Sequence, residues 1–232
     1  MSELLRLTNV RKIYGKKSAL NNVNLSIGEG KIIGLLGPNG SGKTTMLKLV
    51  NGLLQPTAGE VLINGKKPGI DSKSLISYLP ERTYLNSWMR VRELLEFFGD
   101  FYADFNMEKA KNMLSSLQID ENDKLKTMSK GTKEKVQLVL VMSRNARFSL
   151  LDEPIGGVDP AARDYILNTI ITNYCENSTV IISTHLIQDV EKIFDDIIFL
   201  SKGEVVLYDS VDKIREQKQQ SIDELFREVF KC

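Results

Sequence analysis

One segment limits what this chain can fold into more than any other. It reads Gly37-Pro38-Asn39-Gly40-Ser41-Gly42-Lys43-Thr44 and fits G-x-x-x-x-G-K-[ST]. An apolar run, residues 31–36, precedes it, and a helix-compatible stretch, residues 44–51, follows it. Glycines let a backbone wrap a phosphate chain with its N–H groups inward, and a helix N-terminus adds a positive dipole end. We therefore expect a phosphate-binding loop, with Lys43 at the β- and γ-phosphates and the Thr44 hydroxyl toward Mg²⁺.

A second motif supplies the carboxylates that such a loop needs. Residues 148–153 read Phe-Ser-Leu-Leu-Asp-Glu, a short apolar strand that ends in two acids. The carboxyl ends of parallel strands gather at one edge of an open sheet, where ligands bind. We expect Asp152 to serve Mg²⁺ and Glu153 to polarise an attacking water.

The rest of the chain alternates between strand and helix patterns, with one helical interruption. The first thirty residues read as short strands, in which Val23, Leu25 and Ile27 alternate with polar residues. Residues 91–144 carry apolar residues at helical spacing and no convincing strand. The remaining expected elements are strands at 61–63, 75–79, 148–151 and 179–183, helices at 161–174 and 186–194, a hairpin around Lys202-Gly203, and two closing helices.

Composition excludes several classes of protein. The 232 residues fit one large domain, or one domain with a subdomain. With 31 Lys+Arg against 30 Asp+Glu, the formal charge is +1, which argues against binding nucleic acid mainly by charge. No apolar run reaches the roughly 18 residues of a membrane span, and residues 1–12 do not resemble a signal peptide.

The two motifs, with a helical block between them, resemble the ATP-binding subunit of ABC transporters, in particular the ABC-2 or exporter-type branch. The resemblance covers essentially the whole chain. It implies an α/β fold: a P-loop NTPase (RecA-like) core with an N-terminal antiparallel β-subdomain and an inserted α-helical subdomain. It also implies a single ABC ATPase domain over residues 1–232, the helical subdomain at 82–145 and a short helical tail at 210–232.

Several further positions match this family, some with departures. Tyr14 matches the aromatic residue that stacks on adenine. The segment Met128-Ser129-Lys130-Gly131-Thr132 resembles the signature that contacts ATP held by the other subunit, with Ser129 and Gly131 kept. Lys130 replaces a glycine and Thr132 a glutamine. We expect Lys130 to point to solvent, because lysine is most often exposed.

Three more residues follow from the resemblance. Glu81 stands where the family usually has glutamine; a carboxylate can ligate Mg²⁺ or orient water, but it donates no N–H when ionised. Asp159 matches the acidic residue of a loop along the dimer interface. His185, the one histidine of the chain, ends a strand and matches the residue that touches the γ-phosphate.

The resemblance thus implies a complete set of site residues. Catalysis would fall to Glu153, His185 and Lys43. Thr44, Asp152 and Glu81 would hold Mg²⁺. The nucleotide ATP would be bound by Tyr14, Gly37, Pro38, Asn39, Gly40, Ser41, Gly42, Lys43, Thr44, Thr45, Glu81, Ser129, Gly131 and Asp159.

The same resemblance implies an ATPase that powers transport by separate integral membrane subunits. It favours export over import. Two subunits, in a homodimer or a heterodimer with a related ATPase, would close head-to-tail on ATP. The location would be cytoplasmic, peripheral at the inner face of the cell membrane. Tyr84 and Trp88 are candidate anchors to the membrane subunits if they are exposed, and Trp88 could equally fill the core of the helical block, where we expect Phe97.

Other functions remain open at this point. One is a non-transport ABC ATPase, although no coiled-coil, zinc-binding or duplicated segment is visible. Another is an ATP-gated regulatory subunit with weak hydrolysis, which the altered residues Lys130, Thr132 and Glu81 allow. A small-molecule kinase would have no use for the segment around Ser129.

Overall fold

Strands and helices alternate through most of the chain. The computed structural model describes residues 3–156, 158, 160–174 and 178–231. The strands are β1 (Glu3–Tyr14), β2 (Lys17–Gly28), β3 (Ile32–Leu36), β4 (Ala58–Ile63), β5 (Ile76–Leu79), β6 (Phe148–Asp152), β7 (Thr179–Thr184), β8 (Asp196–Ser201) and β9 (Glu204–Ser210). The α-helices are α1 (Lys43–Val50), α2 (Ile70–Leu75), α3 (Val91–Phe101), α4 (Met107–Ser116), α5 (Lys130–Met142), α6 (Pro160–Asn173), α7 (Ile187–Val190), α8 (Val211–Lys218) and α9 (Ile222–Phe230). Leu125–Thr127 and Glu191–Ile193 form short 3-10 helices.

The strands form two sheets among the described residues. A small antiparallel sheet has the order β2-β1-β4, and a larger sheet has the order β5-β6-β7-β3-β8-β9. In the larger sheet, the neighbouring strands β5, β6, β7, β3 and β8 run parallel to one another, and β9 pairs antiparallel with β8. Every residue of β3, β6 and β7 is buried, as expected for parallel strands covered on both faces. The carboxyl ends of β3, β6 and β7 therefore lie side by side.

The larger sheet separates two apolar clusters. Because successive side chains of a strand point to opposite faces, β3 contributes to both clusters. Ile33 and Leu35 pack with α1 and the small sheet, whereas Ile32 and Leu36 pack with the helices on the other face. This packing holds the end of β3 and the start of α1 in a fixed relation.

Helices α3 to α5 lie between β5 and β6 in sequence, where the spacing predicts helices. The inward face of α3 carries Leu94, Leu95 and Phe98, all buried. Phe97 is 55% exposed and stacks on the exposed ring of Phe101, with 6.0 Å between ring centroids. The expectation that Phe97 fills the core is therefore wrong, because residues 97 and 101 lie on the outward face of α3.

Two other expectations need correction. The first thirty residues form two strands of 12 residues each rather than several short ones. Asn9 and Asn22 adopt positive φ within them, at 50° and 51°, and so interrupt the alternation in sequence. Leu75 ends α2 instead of opening the strand. Helix α2 has only six residues and its first, Ile70, is 91% exposed, so the sequence shows no helical spacing of apolar residues there.

Local turn signals, in contrast, are confirmed. Lys202 and Gly203 have φ of 48° and 82°, the pair of left-handed residues that joins β8 to β9 in a tight hairpin. A Cβ at Gly203 would lie 2.7 Å from the Ala19 carbonyl oxygen, so the hairpin packs against β2. No helix in the described ranges combines the length and the apolar content that a membrane crossing requires.

Candidate functional site

The phosphate loop (residues 37–44) joins β3 to α1 and folds tightly on itself. The Ser41 N–H donates to Pro38 O at 3.1 Å, which closes the curve of the loop. Gly42 has φ of 113°, and a Cβ there would lie 2.5 Å from Ala19 O. A Cβ at Gly37 would overlap the carbonyl oxygen of Leu200. The loop can therefore take this shape only with glycine at both positions.

Lys43 is held by the loop that precedes it. Its side chain is 6% exposed, and Nζ donates to Gly37 O at 2.7 Å and to Pro38 O at 3.4 Å. The same Nζ lies 3.4 Å from Glu153 Oε1. The ammonium group thus sits between the loop carbonyls and a carboxylate, at the mouth of the loop where an anion would be attracted.

Asp152 ends β6 beside the start of α1. It is 1% exposed, and Oδ1 accepts from Ser183 Oγ at 2.6 Å and from Thr44 Oγ1 at 3.1 Å. Burial raises the pKa of Asp152, and these two hydrogen bonds act in the opposite direction. The other oxygen, Oδ2, is buried without a hydrogen-bond partner among the described residues. A free carboxylate oxygen next to a threonine hydroxyl is a donor set that suits Mg²⁺.

Glu153 follows in a conformation that is uncommon for a residue with a side chain. Its φ is 50°, and its N–H donates to Ser183 O at 3.1 Å and to Ser183 Oγ at 3.0 Å. Glu153 Oε2 lies 3.1 Å from His185 Nδ1, and Oε1 faces Lys43. We call Asp152 and Glu153 the acidic turn. Its backbone twist directs the two carboxylates toward Thr44 and His185 respectively.

Lys43, Thr44, Glu153 and His185 open onto one cavity of about 960 Å³, and Asp152 lies behind its wall. The cavity is large enough for a nucleotide, since typical ligand pockets span roughly 300–1,000 Å³. Its walls include Tyr14, Lys43, Thr44, Glu81, Glu153 and His185. The cavity therefore combines a flat aromatic side chain, an anion-binding loop and the carboxylates of Glu81 and Glu153.

A protein-family model described as ABC transporter matches residues 20–156, which is more than half of the chain. This chain belongs to the ABC transporter family. The match includes the phosphate loop and the acidic turn, whereas Tyr14 and His185 of the cavity wall lie outside the matched residues.

Relatives of this ABC ATPase support the assignment over nearly its whole length. The uncharacterized ABC transporter ATP-binding protein MJ1023 of Methanocaldococcus jannaschii is 33% identical over 92% of this chain and 80% of its own. The linearmycin resistance ATP-binding protein LnrL of Bacillus subtilis is 30% identical over 88% of this chain and 68% of its own. The lantibiotic transport ATP-binding protein SrtF of Streptococcus pyogenes is 29% identical over 92% and 95%.

Solved structures agree with the predicted fold class, which is confirmed as an α/β P-loop NTPase. A structure of an ATP-binding subunit of an ABC transporter superposes with a TM-score of 0.87 at 26% identity, covering 98% of this chain and 99% of that one. The ATP-binding cassette MJ0796, in a dimeric post-hydrolysis state with ADP and Pi, gives 0.78 at 28% identity, covering 89% and 98%.

The N-terminus of α5 in this ABC ATPase carries the segment that resembles the family signature. Ser129 Oγ caps the helix by accepting from Thr132 N at 3.1 Å, and it lies 2.8 Å from Thr132 Oγ1. The Lys130 side chain is 80% exposed, as predicted, and lies 3.7 Å from Glu134; both residues also line the rim of the cavity. Around Gly131 there is open space, since a Cβ there would meet no atom within 4 Å.

The other predicted site residues fall in different surroundings. Tyr14 is 46% exposed, with Lys12 Nζ at 5.3 Å from the centre of its ring. Glu81 is exposed at the cavity wall, and Thr45 lines the same wall. Asp159 lies outside the described residues.

Sequence reasoning gave no role to Ser183, although it contacts both members of the acidic turn. The signal is the parallel register of β6 and β7, which sets Asp152 opposite Ser183. A single sequence shows that both residues end strands, but it does not show that those strands are neighbours in this register.

Proposed function

We propose that this chain binds ATP with Mg²⁺ in the cavity and hydrolyses it to power transport by separate membrane subunits. One observation carries the proposal: Lys43, Thr44, Glu153 and His185 line one cavity, with Glu153 between Lys43 and His185 at 3.4 and 3.1 Å. In that position Glu153 can accept a proton from an attacking water or orient it, and His185 can hold the γ-phosphate. Lys43 and the loop N–H groups would neutralise phosphate charge.

Thr44 and Asp152 would hold the metal ion, with Glu81 as a further carboxylate at the cavity wall. When bound at these residues, Mg²⁺ would neutralise the charge that develops on the phosphate oxygens. The unpartnered Asp152 Oδ2 supports this assignment, because a buried carboxylate oxygen requires a positive or hydrogen-bonding partner. The Thr44 hydroxyl already lies against the same carboxylate.

Tyr14 would stack on the adenine base. Tyr14 ends β1 and lines the same cavity as the phosphate loop. A partly exposed aromatic ring can gain a stacking partner without leaving a polar group unpaired. The remaining loop residues, with Thr45, would surround the phosphates.

A second subunit would complete each site. In the proposed head-to-tail dimer, Ser129 and Gly131 face the γ-phosphate bound by the partner, and Asp159 lies along the interface. The open space around Gly131 supports this arrangement, because it leaves room for a ligand from outside the chain. The dimeric state of the related cassette MJ0796 supports it further. Binding of ATP would close the pair and hydrolysis would release it.

The membrane subunits would dock on the helical subdomain, which we propose spans residues 82–145, and on the adjoining loop after β5. Tyr84, Trp88, Phe97 and Phe101 are at least half exposed there. Aromatic side chains commonly dominate the cores of protein interfaces. Through this contact the ATPase would sit at the inner face of the cell membrane. The names of LnrL and SrtF, for antibiotic resistance and lantibiotic transport, favour export.

Steady-state ATPase assays on the full chain, alone and with its membrane subunits, test the proposal. Glu153→Gln should lower kcat by about a hundredfold or more while MgATP still binds, because the amide cannot take a proton. In the wild type, the rate should rise faster than linearly with protein concentration. A Glu153→Gln variant with the wild-type rate would refute the assignment of the catalytic carboxylate.

A further inference from the structure

A buried polar side chain stands in the apolar stretch of α5. From Val136 to Met142 every residue is buried, and Gln137 is the polar member, at 2% exposure. An amide in such surroundings is unfavourable unless its donor and acceptor are both satisfied. A methionine or leucine would fill a similar volume without that cost, so the contacts of this amide need an explanation.

The amide is anchored at one end. Gln137 Nε2 donates to Pro80 O at 3.3 Å, at the start of the Glu81 loop (residues 80–90) that follows β5. A carbonyl oxygen can only accept, so the NH₂ group must point to Pro80 and Oε1 must point away from it. Gln137 Oε1 is buried and has no hydrogen-bond partner among the described residues. Half of the amide is thus bonded, and the other half is an acceptor that needs a donor.

A small cavity of about 20 Å³ lies next to this amide. Gln137 forms one wall; Glu81, Asp152 and Glu153 are among the other lining residues. Asp152 also brings a buried oxygen, Oδ2, that lacks a hydrogen-bond partner. A cavity of roughly 10–15 Å³ already suffices for one water molecule, provided that polar partners surround it. Water donates two hydrogens, which matches two acceptors that have no hydrogen-bond partner. The Tyr78 hydroxyl, also buried without a partner, is the protein donor that competes for Asp152, because burial and the nearby Asp152 carboxylate raise the pKa of Tyr78.

We propose that this cavity holds one structural water, and that Gln137 is a positioning residue acting through it. The water donates to Gln137 Oε1 and to Asp152 Oδ2, while Gln137 Nε2 holds Pro80. A carboxylate oxygen accepts in more than one direction, so this bond leaves Asp152 able to face a metal ion. Helix α5, the Glu81 loop and the acidic turn are then joined by hydrogen bonds.

This arrangement has a direct consequence for catalysis. Helix α5 begins beside Ser129, which the proposed dimer places at the partner's nucleotide. Gln137 therefore connects the helix that reaches the second subunit with the acidic turn of its own site. Loss of the amide should disturb the placement of Glu153 and leave the phosphate loop intact. The inference rests on the proposed function in taking Glu153 as the catalytic carboxylate.

The water itself is tested without any turnover. A high-resolution crystal structure of the full chain should show one ordered water within roughly 2.7–3.2 Å of both Gln137 Oε1 and Asp152 Oδ2. The same site in Gln137→Met should lack it. A wild-type structure in which Gln137 Oε1 meets a protein donor, or in which the cavity holds no water, overturns the inference even if Glu153 proves catalytic.

The positioning role is tested by separating kcat from nucleotide affinity. Gln137→Met should lower kcat about tenfold, because a small displacement of a catalytic group is costly, and should change the MgATP dissociation constant less than about twofold. The side chain of Gln137→Asn is one methylene shorter and can keep only one of the two contacts. Its kcat should therefore lie between those of wild type and Gln137→Met. Any other order among folded variants contradicts the role.

Ser143→Ala is the matched control. Ser143 is also buried on α5, as its C-cap, but its Oγ contacts Met113 Sδ at 3.8 Å, away from the small cavity. It should leave kcat unchanged. If Ser143→Ala lowers kcat as much as Gln137→Met does, the effect is a general softening of α5 and the positioning role is wrong. If Glu153→Gln keeps its rate, the proposed function fails, and the crystallographic result on the water still stands.

Discussion

Ser183 bonds to both residues of the acidic turn. Its hydroxyl contacts Asp152 Oδ1 at 2.6 Å and accepts from the Glu153 N–H at 3.0 Å. Because a hydroxyl has one donor and two acceptor positions, it can make both bonds at once. The second bond helps to hold Glu153 at φ 50°, a conformation that costs about 1–3 kcal/mol and persists only where surrounding contacts offset that cost. One serine thus sets the direction of two carboxylates.

Replacing this serine should therefore affect both stability and catalysis. We expect Ser183→Ala to lower the free energy of unfolding by about 1–3 kcal/mol, since a buried carboxylate loses a donor. We expect kcat to fall about tenfold because Glu153 is less well held. Urea denaturation and steady-state ATPase assays measure the two effects.

Ser77→Ala separates stability from catalysis. Ser77 is 2% exposed on β5, and its hydroxyl donates to Val141 O at 2.8 Å, outside the acidic turn. This control should lose about 1 kcal/mol of stability and keep its kcat. Equal kcat in the two variants would mean that Ser183 has no part in placing Glu153.

At the scale of elements, Arg144 joins the helical block to the sheet. Its side chain is 3% exposed, pairs with both oxygens of Asp104 at 3.0 and 3.1 Å, and donates to Ile76 O and Ser74 O. The guanidinium lies 3.9 Å from the centre of the Tyr102 ring. A planar group with five donors can satisfy all these partners, which a single ammonium cannot. Arg144 therefore fixes the end of the helical block against the start of β5.

Removal of this side chain should be costly. We expect Arg144→Met to lower the free energy of unfolding by about 3 kcal/mol, because it leaves Asp104 and two carbonyl groups without their donor. Arg144→Lys should recover less than half of that loss. Chemical denaturation measures both. Lys111→Met, which breaks an exposed pair with Glu121 at 3.7 Å, should cost less than about 1 kcal/mol; a similar cost for the two pairs would contradict the role given to Arg144.

The cap at the start of helix α9 can be tested through the pH dependence of thermal stability. Ser221 and Glu224 form a reciprocal cap at its start, and bonds from the Ser221 backbone N–H and hydroxyl lower the pKa of Glu224 from 4.5. A carboxylate with a lowered folded-state pKa stabilises the fold above its unfolded pKa, and this contribution is lost as the pH falls below that value. Wild type should thus melt above Glu224→Gln at pH 7, and the difference in Tm should vanish at acid pH.

Thermal melts from pH 7 to acid pH, with Glu228→Gln as the control, test this prediction. Glu228 is exposed on the same helix, outside the cap, and its replacement should shift Tm little at any pH. A Tm difference between wild type and Glu224→Gln that stays constant down to pH 3 would show that charge at the cap does not matter.

These elements also show which features a single sequence can predict. The phosphate loop, the acidic strand end and the hairpin at Lys202-Gly203 depend on residues that are close in sequence, and the local pattern indicates them. The roles of Ser183, Gln137 and Arg144 depend on which strands are neighbours and on how α5 docks. Such contacts join residues that are distant in sequence, so no local pattern indicates them.

At the scale of the whole molecule, the proposed dimer requires each chain to present two different halves of a site. In the proposed dimer the phosphate loop and acidic turn form one half and Ser129 and Gly131 form the other, although Lys130, Lys133 and Glu134 also line the cavity of their own chain. Among the described contacts, the Ser129 side chain bonds only to Thr132, and Gly131 faces open space. If the halves meet only between subunits, damage to different halves in two chains can be complemented by mixing them.

Mixing two inactive variants tests this arrangement. Lys43→Ala removes the ammonium from the loop, and Gly131→Asp places a carboxylate where the partner's γ-phosphate is proposed to lie. Gly131→Asp should fold normally, because its Cβ meets no atom within 4 Å and an acid in the first turn of a helix is favourable. Each variant alone should have little ATPase activity, because both sites of its dimer carry the damage.

A mixture should regain activity. In an equal mixture half of the dimers contain one chain of each kind, and each of these has one intact site, so about a quarter of the wild-type rate should return. Gly69→Asp, a glycine in open surroundings at the start of α2, should keep full activity and so controls for the added charge. If the mixture stays inactive although mixed dimers form, two explanations remain: both halves of a site come from one chain, or a dimer is active only when both of its sites are intact. A mixed dimer of wild type and Lys43→Ala distinguishes them. It should keep half of the wild-type activity under the first explanation and none under the second.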